Sequence, residues 1–421
     1  MGSRRAVVLG AVATLALLAG VANASAAPSG SDGHGVGIDA HLRQARTAAD
    51  DPPLSQFIPV NPFRVLDTRD GRGPVGPNGT TVVDLSAQLP SNATAAVLNV
   101  TGTEPTASTF ISVYPASGSR PAASSLNLSR GQTRANQVSV AVNADRAVAF
   151  YNLAGNTHVV ADLAGYYIDN INAGAGSRYT ARTPQRIADT RGGSPLPGGS
   201  AIVLDLSFLP ASATAVTFNL TGLDASQPTV VSAFPDGQSV PLVSSLNLGR
   251  NEIVPNQVTV QIGGNRQVDV YNAFGSVNLV VDVVGFYSTS QGDFFAPIPP
   301  ERAMDTRPGK GLNGAPGNFI GLFGWGEQTG PGTISAVAGN LTATNPGNAQ
   351  YVVVWPGGAA RPTASNLNLV AGQTAANAVN AGIGYEPLIN GGKRTVNFAN
   401  NAGYVDVIFD ISGFFVTPPT P

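Results

Sequence analysis

Three short words carry most of the chemistry this sequence could perform. Arg64, Asp67 and Arg69 stand in "FRVLDTRDGRG", Arg186, Asp189 and Arg191 in "QRIADTRGGSP", and Arg302, Asp305 and Arg307 in "ERAMDTRPGKG". Far downstream, each word is followed by one more acid at a matching place: Asp162, Asp282 and Asp410. Two carboxylates such as Asp67 and Asp162 could act as the acid and base of glycoside hydrolysis. Flanking arginines, however, keep a carboxylate ionised, and an ionised group cannot donate a proton. The better reading is internal. A guanidinium binds a carboxylate through two parallel hydrogen bonds, which fixes direction as well as charge. Each set of two acids and two bases is therefore expected to be a buried ion network tying the opening strand of a repeat to its closing strand.

Other chemistries lack their residues. There is no cysteine, which removes disulfides, thiol catalysis and thiolate metal sites. His34 and His41 precede the repeats and only His158 falls inside one, so neither a serine triad nor a histidine metal site is expected. No Gly-x-Ser-x-Gly elbow and no His-Glu-x-x-His word occurs. The acidic turn "DTRDGRG" has a calcium-like look, but its arginines disfavour a cation. We expect no metal, no cofactor and no catalytic residue.

The acids and bases belong to a long repeat. Asn99-Val100-Thr101 returns as Asn219-Leu220-Thr221 and Asn340-Leu341-Thr342, and Leu126-Asn127-Leu128 as Leu246-Asn247-Leu248 and Leu367-Asn368-Leu369. Asn136-Gln137-Val138 returns as Asn256-Gln257-Val258 and, more loosely, as Asn377-Ala378-Val379. Each copy closes on Asp-x-x-Gly-aromatic-aromatic, from Asp162, Asp282 and Asp410. A period of about 120 residues is too long for solenoid or propeller units, so each copy reads as a domain. The repeats are placed at 57–169, 179–288 and 294–416, with the short linkers "NINAGAGSR" and "STSQGD" between them and a Pro-rich tail at 417–421.

Within a copy, β-branched runs alternate with turn clusters at all-β spacing. In the first copy strands are expected near 63–68, 80–86, 95–103, 109–114, 124–128, 136–142, 146–152 and 157–168. The fold class is all-β: three tandem β-sandwiches, for which the jelly roll is one arrangement. Alternation places Ala96, Leu98 and Val100 on one face of their strand and Val97, Asn99 and Thr101 on the other. The closing strand is apolar on both faces, which makes it central and its aspartate buried. The asparagines match glycosylation acceptors, but inside strands they read as structural hydrogen-bonding groups.

The start of the chain resembles an export signal. Arg4-Arg5 precede an apolar run from Ala6 to Ala22 and a small-x-small cleavage site, giving a signal peptide at 1–24 and a flexible, polar leader at 25–56. A net charge of −2 and only 11% charged residues argue against nucleic acid and polybasic membrane contact, and no second span-length apolar run follows. Aromatics before proline, Tyr114, Phe234 and Trp355, with nearby Arg120 and Arg361, are the candidate ligand contacts, since rings stack on sugar faces and arginines bind hydroxyls; the simpler reading is that each ring caps its own core at a strand end. The third copy departs most, with "FIGLFGWGE" and an insertion around "GYEPLINGGKRT".

As a set, the Arg-x-x-Asp-Thr-Arg opening, the central Asn-x-Thr, the Ser-x-Leu-Asn word and the Asp-x-x-Gly-aromatic-aromatic close resemble a repeat of secreted actinobacterial cell-surface proteins, over about residues 57–416. The resemblance implies an exported module associated with the cell surface or matrix, and it carries over no catalytic residue. The expected function is a secreted, non-enzymatic binding or scaffold protein of the cell envelope, released or held non-covalently at the wall, whose partner is wall or extracellular glycan. The alternatives are a secreted hydrolase with an Asp/Arg site and a purely structural adhesion protein without a small ligand.

Overall fold

A computed structural model describes residues 33–37, 53–169, 176–307, 311–315, 317–325, 332–389 and 391–418. The expected signal peptide at 1–24 lies outside the described residues. Among the described residues each repeat contributes eight principal strands. The first are Gln56–Asp67, Arg178–Asp189 and Phe294–Asp305; the eighth are His158–Ile168, Ser276–Ser288 and Asp406–Val416. In the first repeat the second to seventh are Gly79–Asp84, Ala93–Thr103, Thr109–Pro115, Leu126–Leu128, Arg134–Ala141 and Ala147–Asn152, so all eight expected strands exist.

Pairing order is the same in every repeat. The first strand pairs with the eighth, the eighth with the third and the third with the sixth; the second, seventh, fourth and fifth make the other sheet in that order. Two antiparallel four-stranded sheets with these long crossings are a jelly roll. The third strand shows why each sandwich closes. Ala96, Leu98 and Val100 pack in the core of the first repeat, whereas Ala95 and Val97 pack in a separate cluster drawn from all three repeats. A strand apolar on both faces is thus covered on one side by its own second sheet and on the other by neighbouring repeats.

That shared cluster closes the three sandwiches into a ring. Six aromatics alternate around it: Phe57 stacks near Tyr287 at 4.3 Å between ring centroids, Tyr179 on Phe415 at 4.2 Å, and Phe295 on Tyr167 at 4.2 Å. Each pair joins a different two repeats. The glycine of the closing word makes room for it. A Cβ on Gly165, Gly285 or Gly413 would lie 2.2–2.3 Å from the ring of Phe57, Tyr179 or Phe295 of the same repeat. The starts of the first strands also bond to one another in a cycle, Ser55 with Phe295, Phe57 with Ser177 and Tyr179 with Asp293.

One expectation is corrected. The leader is not wholly unstructured: Gly33–Gly37 forms a parallel strand along Phe319–Phe323, the second strand of repeat 3. Two of its glycines allow a close approach. A Cβ on Gly33 would sit 2.5 Å from the Phe319 ring, and one on Gly35 2.8 Å from both Ile389 and Phe323. Ile389 belongs to the insertion of the third copy, whose short strand Gly384–Glu386 extends the same sheet. The departures of copy three therefore build the seat for the leader. Gly35→Val is expected to lift the leader strand off at a cost of about 1–3 kcal/mol, as overpacking does. Limited proteolysis checks it: cleavage in the leader speeds up while the sandwiches stay resistant.

Candidate functional site

The ion networks assemble in all three repeats. Arg64 faces Asp162 across the first and eighth strands, as Arg186 faces Asp282 and Arg302 faces Asp410. A register shift directly after each arginine lets Val65, Ile187 and Ala303 bulge out of the ladder. In a regular strand, residues three apart point to opposite faces; the bulge removes one step and returns Asp67 to the face of Arg64. Arg64 Nε then lies 2.8 Å from Asp162 Oδ1 and its Nη1 2.9 Å from Asp67 Oδ2, while Arg69 Nη2 closes the chain 2.5 Å from Asp67 Oδ2. The other copies repeat this with 2.9, 3.3 and 2.5 Å, and with 2.5, 2.9 and 2.5 Å. The threonine between acid and base has its own task. The hydroxyls of Thr68, Thr190 and Thr306 accept from the amides of Val159, Leu279 and Val407 on the closing strand.

The network is graded rather than uniformly buried, which corrects the expectation. Side chains of Asp162, Asp282 and Asp410 are 2% exposed, but those of Arg69, Arg191 and Arg307 are 46%, 32% and 52% exposed. The outer arginines leave the ladder at its end, where the strand turns into solvent. Electrostatics follow the gradient. The hydrogen bond from Arg69 holds Asp67 down to about 2, and Arg191 and Arg307 lower Asp189 and Asp305 in the same way. Burial raises Asp162, Asp282 and Asp410 even with an arginine against each. The acid that could hold a proton is sealed, and the one nearer solvent is kept ionised, a division unsuited to general acid catalysis.

Across each sheet the ionic row continues into amides that cross between repeats. Asp162 is in register with Asn99, and Asn99 with Gln137. Asn99 donates to the carbonyl of Ser244 in repeat 2, Asn219 to Ser365 in repeat 3, and Asn340 to Ser124 in repeat 1, closing a cycle. A second cycle runs the other way: Asn136 donates to Asn340 Oδ1, Asn256 to Asn99 and Asn377 to Asn219, each at 2.8 Å. Their own carbonyl oxygens accept the amides of Ala378, Gln137 and Gln257. Even the ion network reaches over, since Arg64 Nη2 donates to the carbonyl of Leu242 at 2.9 Å. The recurring polar words thus converge between repeats, which the sequence pattern could not show because alternation gives a face but not what covers it.

At the aromatic-proline positions the ligand-contact reading is corrected and the core-capping one holds. Tyr114, Phe234 and Trp355 are 7%, 2% and 4% exposed, so their rings are not offered to a ligand. Tyr114 packs with Ala149 and Tyr151, and Trp355 with Phe319, Val353 and Ile389, donating from Nε1 to the carbonyl of Ala359. Arg120 is exposed and lies over the Tyr151 ring at 4.3 Å, while Arg361 is half-buried.

Sequence reading missed a groove of about 410 Å³ between repeats 1 and 2. Its walls include Gln132 and Arg134 from the turn and sixth strand of repeat 1, and Val230, Asn247, Glu252 and Phe274 from repeat 2. Arg134 Nη1 pairs with Glu252 Oε2 at 2.9 Å, and Phe274 stands 56% exposed on a turn whose Gly275 has a φ of 55°. Burial alone would raise Glu252, but the hydrogen bond and charge of Arg134 outweigh it and keep the carboxylate low. Among the described residues no group of His, Cys, Asp or Glu gathers for a metal ion, and no helix is long and apolar enough to cross a membrane.

No family model and no curated protein matches this chain. Among solved structures it is similar to one described as "The Triple Jelly Roll Fold and Turret Assembly in an Archaeal Virus", at 8% identity over 88% of this chain and 92% of that one, with a TM-score of 0.18. The jelly-roll order stands on the strand pairing itself.

Proposed function

We propose that this chain is a secreted, non-enzymatic binding and scaffold protein of the cell envelope that contacts wall or extracellular glycan. The observation that supports it is the direction of the recurring polar words. The acids, arginines and asparagines that return three times hold strands and repeats together, as the closed cycle through Asn99, Asn219 and Asn340 illustrates. A chain built this way is a rigid three-sandwich body without disulfides. What remains exposed among the described residues is poor in charge and rich in amides, hydroxyls and turn backbone, a surface suited to hydroxylated, neutral polymers.

Co-sedimentation of the purified secreted chain with purified cell wall tests the reading. Retention that competes with soluble wall polysaccharide is expected; failure to sediment with wall at low and physiological salt would sink it. A second reading, a structural adhesion protein that contacts other proteins, is favoured by one loop of repeat 2, where Val240 and Leu242 are 47% and 93% exposed. Retention on wall that survives removal of glycan but not protease treatment of the wall would select it.

A further inference from the structure

The three repeats are close copies, so positions where one copy alone carries a reactive or sticky side chain are informative. The groove between repeats 1 and 2 concentrates three of them. Arg134 corresponds to Val254 and Ala375, each at the same register on its sixth strand, opposite Gly102, Gly222 and Ala343. Glu252 corresponds to Gln132 and Gln373: all three cap the same turn, accepting from the amide three residues before, Gly249, Ser129 and Val370. Phe274 corresponds to Ala154, whose amide is likewise held by a threonine hydroxyl, Thr109 for Ala154 and Thr229 for Phe274. In the third repeat Ala402 follows the same asparagine-led turn.

From this asymmetry we propose that the groove is a carbohydrate subsite for a neutral sugar unit, an inference that rests on the glycan reading above. Phe274 presents a large apolar face to solvent where its counterparts are alanines, and such a face suits the C–H side of a pyranose or furanose ring. Beside it, Arg134 and Glu252 form a pair whose charges cancel, so the groove offers directional donors and acceptors without a net charge. Glu252 keeps 37% of its side chain open while Arg134 is 16% exposed, so the carboxylate is the accessible half. A carboxylate oriented by a guanidinium accepts from sugar hydroxyls, and the amides of Gln132 and Asn247 on the same walls add further hydrogen-bonding groups. The volume falls in the range of small-molecule sites and holds one or two sugar units. The contact groups are pinned, Phe274 by its turn and Thr229, Glu252 by Gly249 and by Arg134 of the opposite wall, which limits the ordering cost of binding.

The test uses the full secreted chain and three soluble neutral probes: cello-, N-acetylated chito- and arabino-oligosaccharides. Binding is followed by titration calorimetry and by ligand-observed NMR, alongside wall co-sedimentation. Phe274→Ala is expected to weaken binding of the preferred oligosaccharide about tenfold at unchanged thermal stability, and Phe274→Tyr to retain it. Glu252→Gln, which copies the other two repeats, is expected to weaken it as well, whereas Leu153→Ala, at an exposed position of the corresponding turn in repeat 1, leaves it unchanged. If the wild-type chain binds an oligosaccharide and Phe274→Ala and Glu252→Gln bind it equally well, the site assignment is overturned while the glycan reading stands. If the chain sediments with wall but takes up none of the neutral probes, the ligand class is overturned. Failure to bind both wall and probes removes the inference together with the reading beneath it.

Discussion

Replacing Arg186 by alanine is expected to cost roughly 3 kcal/mol, because it strands a carboxylate in the interior. Arg186 holds Asp282 through Nε at 2.9 Å and Nη2 at 3.1 Å, and the Asp282 side chain is 2% exposed. Removing the outer base instead, Arg191→Ala, should cost about 0.5 kcal/mol, since that side chain is one-third exposed and Asp189 keeps Arg186. A pH series separates this cause from lost packing. Burial already places Asp282 above its ordinary value, and removing Arg186 takes away the group that lowers it. An acid with a raised folded-state pKa contributes stability that is full below its unfolded value and is lost as pH rises through the folded one. The deficit of the variant should therefore be largest at neutral pH and shrink on acidification toward the unfolded carboxylate's pKa. Asp189 works in the opposite sense: held low by Arg191, it stabilises above its unfolded value and loses that contribution as pH falls. Urea unfolding of the variant at several pH values checks the first trend. A deficit independent of pH, or one that Asp282→Asn fails to reduce in the double variant, would mean that the arginine matters by its bulk.

Much of this was legible because charges are rare in the chain. An aspartate in a strand apolar on both faces had to be buried, and arginines recurring at fixed spacing were its natural partners. The first and eighth strands do meet with Arg64 opposite Asp162. The bulge at Val65 was not legible, since nothing in Val65, Ile187 and Ala303 marks a position left out of the ladder. Nor was the role of the amides: Asn99 could be assigned a face, but its acceptor lies in another repeat, at Ser244. Tyr114 and Trp355 do turn inward, as the simpler reading had it, but the sequence could not decide this, because a ring before proline at a strand end looks the same whether it caps its own sandwich or faces outward. Phe274 was missed for a different reason. Repeated words point only to shared positions, whereas this residue signals itself by standing where Ala154 and Ala402 stand in the other copies. The leader strand was hidden by its glycines, which lower strand propensity in isolation but fit beneath the rings of Phe319 and Phe323.

The ring of aromatics makes a claim about cooperativity that three independent sandwiches would not. Phe295 is 1% exposed and touches Tyr167 of repeat 1 at 4.2 Å and Phe415 of its own repeat at 5.2 Å, beside the Tyr167–Tyr287 hydroxyl bond at the centre. Phe295→Ala leaves a cavity bounded by neighbours that are themselves locked between repeats, so little collapse can fill it, and the expected cost is about 4 kcal/mol. The cost should not stay local. Loss of the third repeat would expose the apolar faces of Ala95, Val97 and Ala215 and strip the buried amide of Asn136 of its partners Asn340 and Ala378. Unfolding one sandwich therefore raises the free energy of the other two, and calorimetry of the wild-type chain should give one transition. In Phe295→Ala that whole transition should move down by several degrees with its shape kept. If instead the wild-type melt resolves into separate steps and the variant shifts one of them, the repeats are beads that happen to touch, and the shared core contributes contact without coupling.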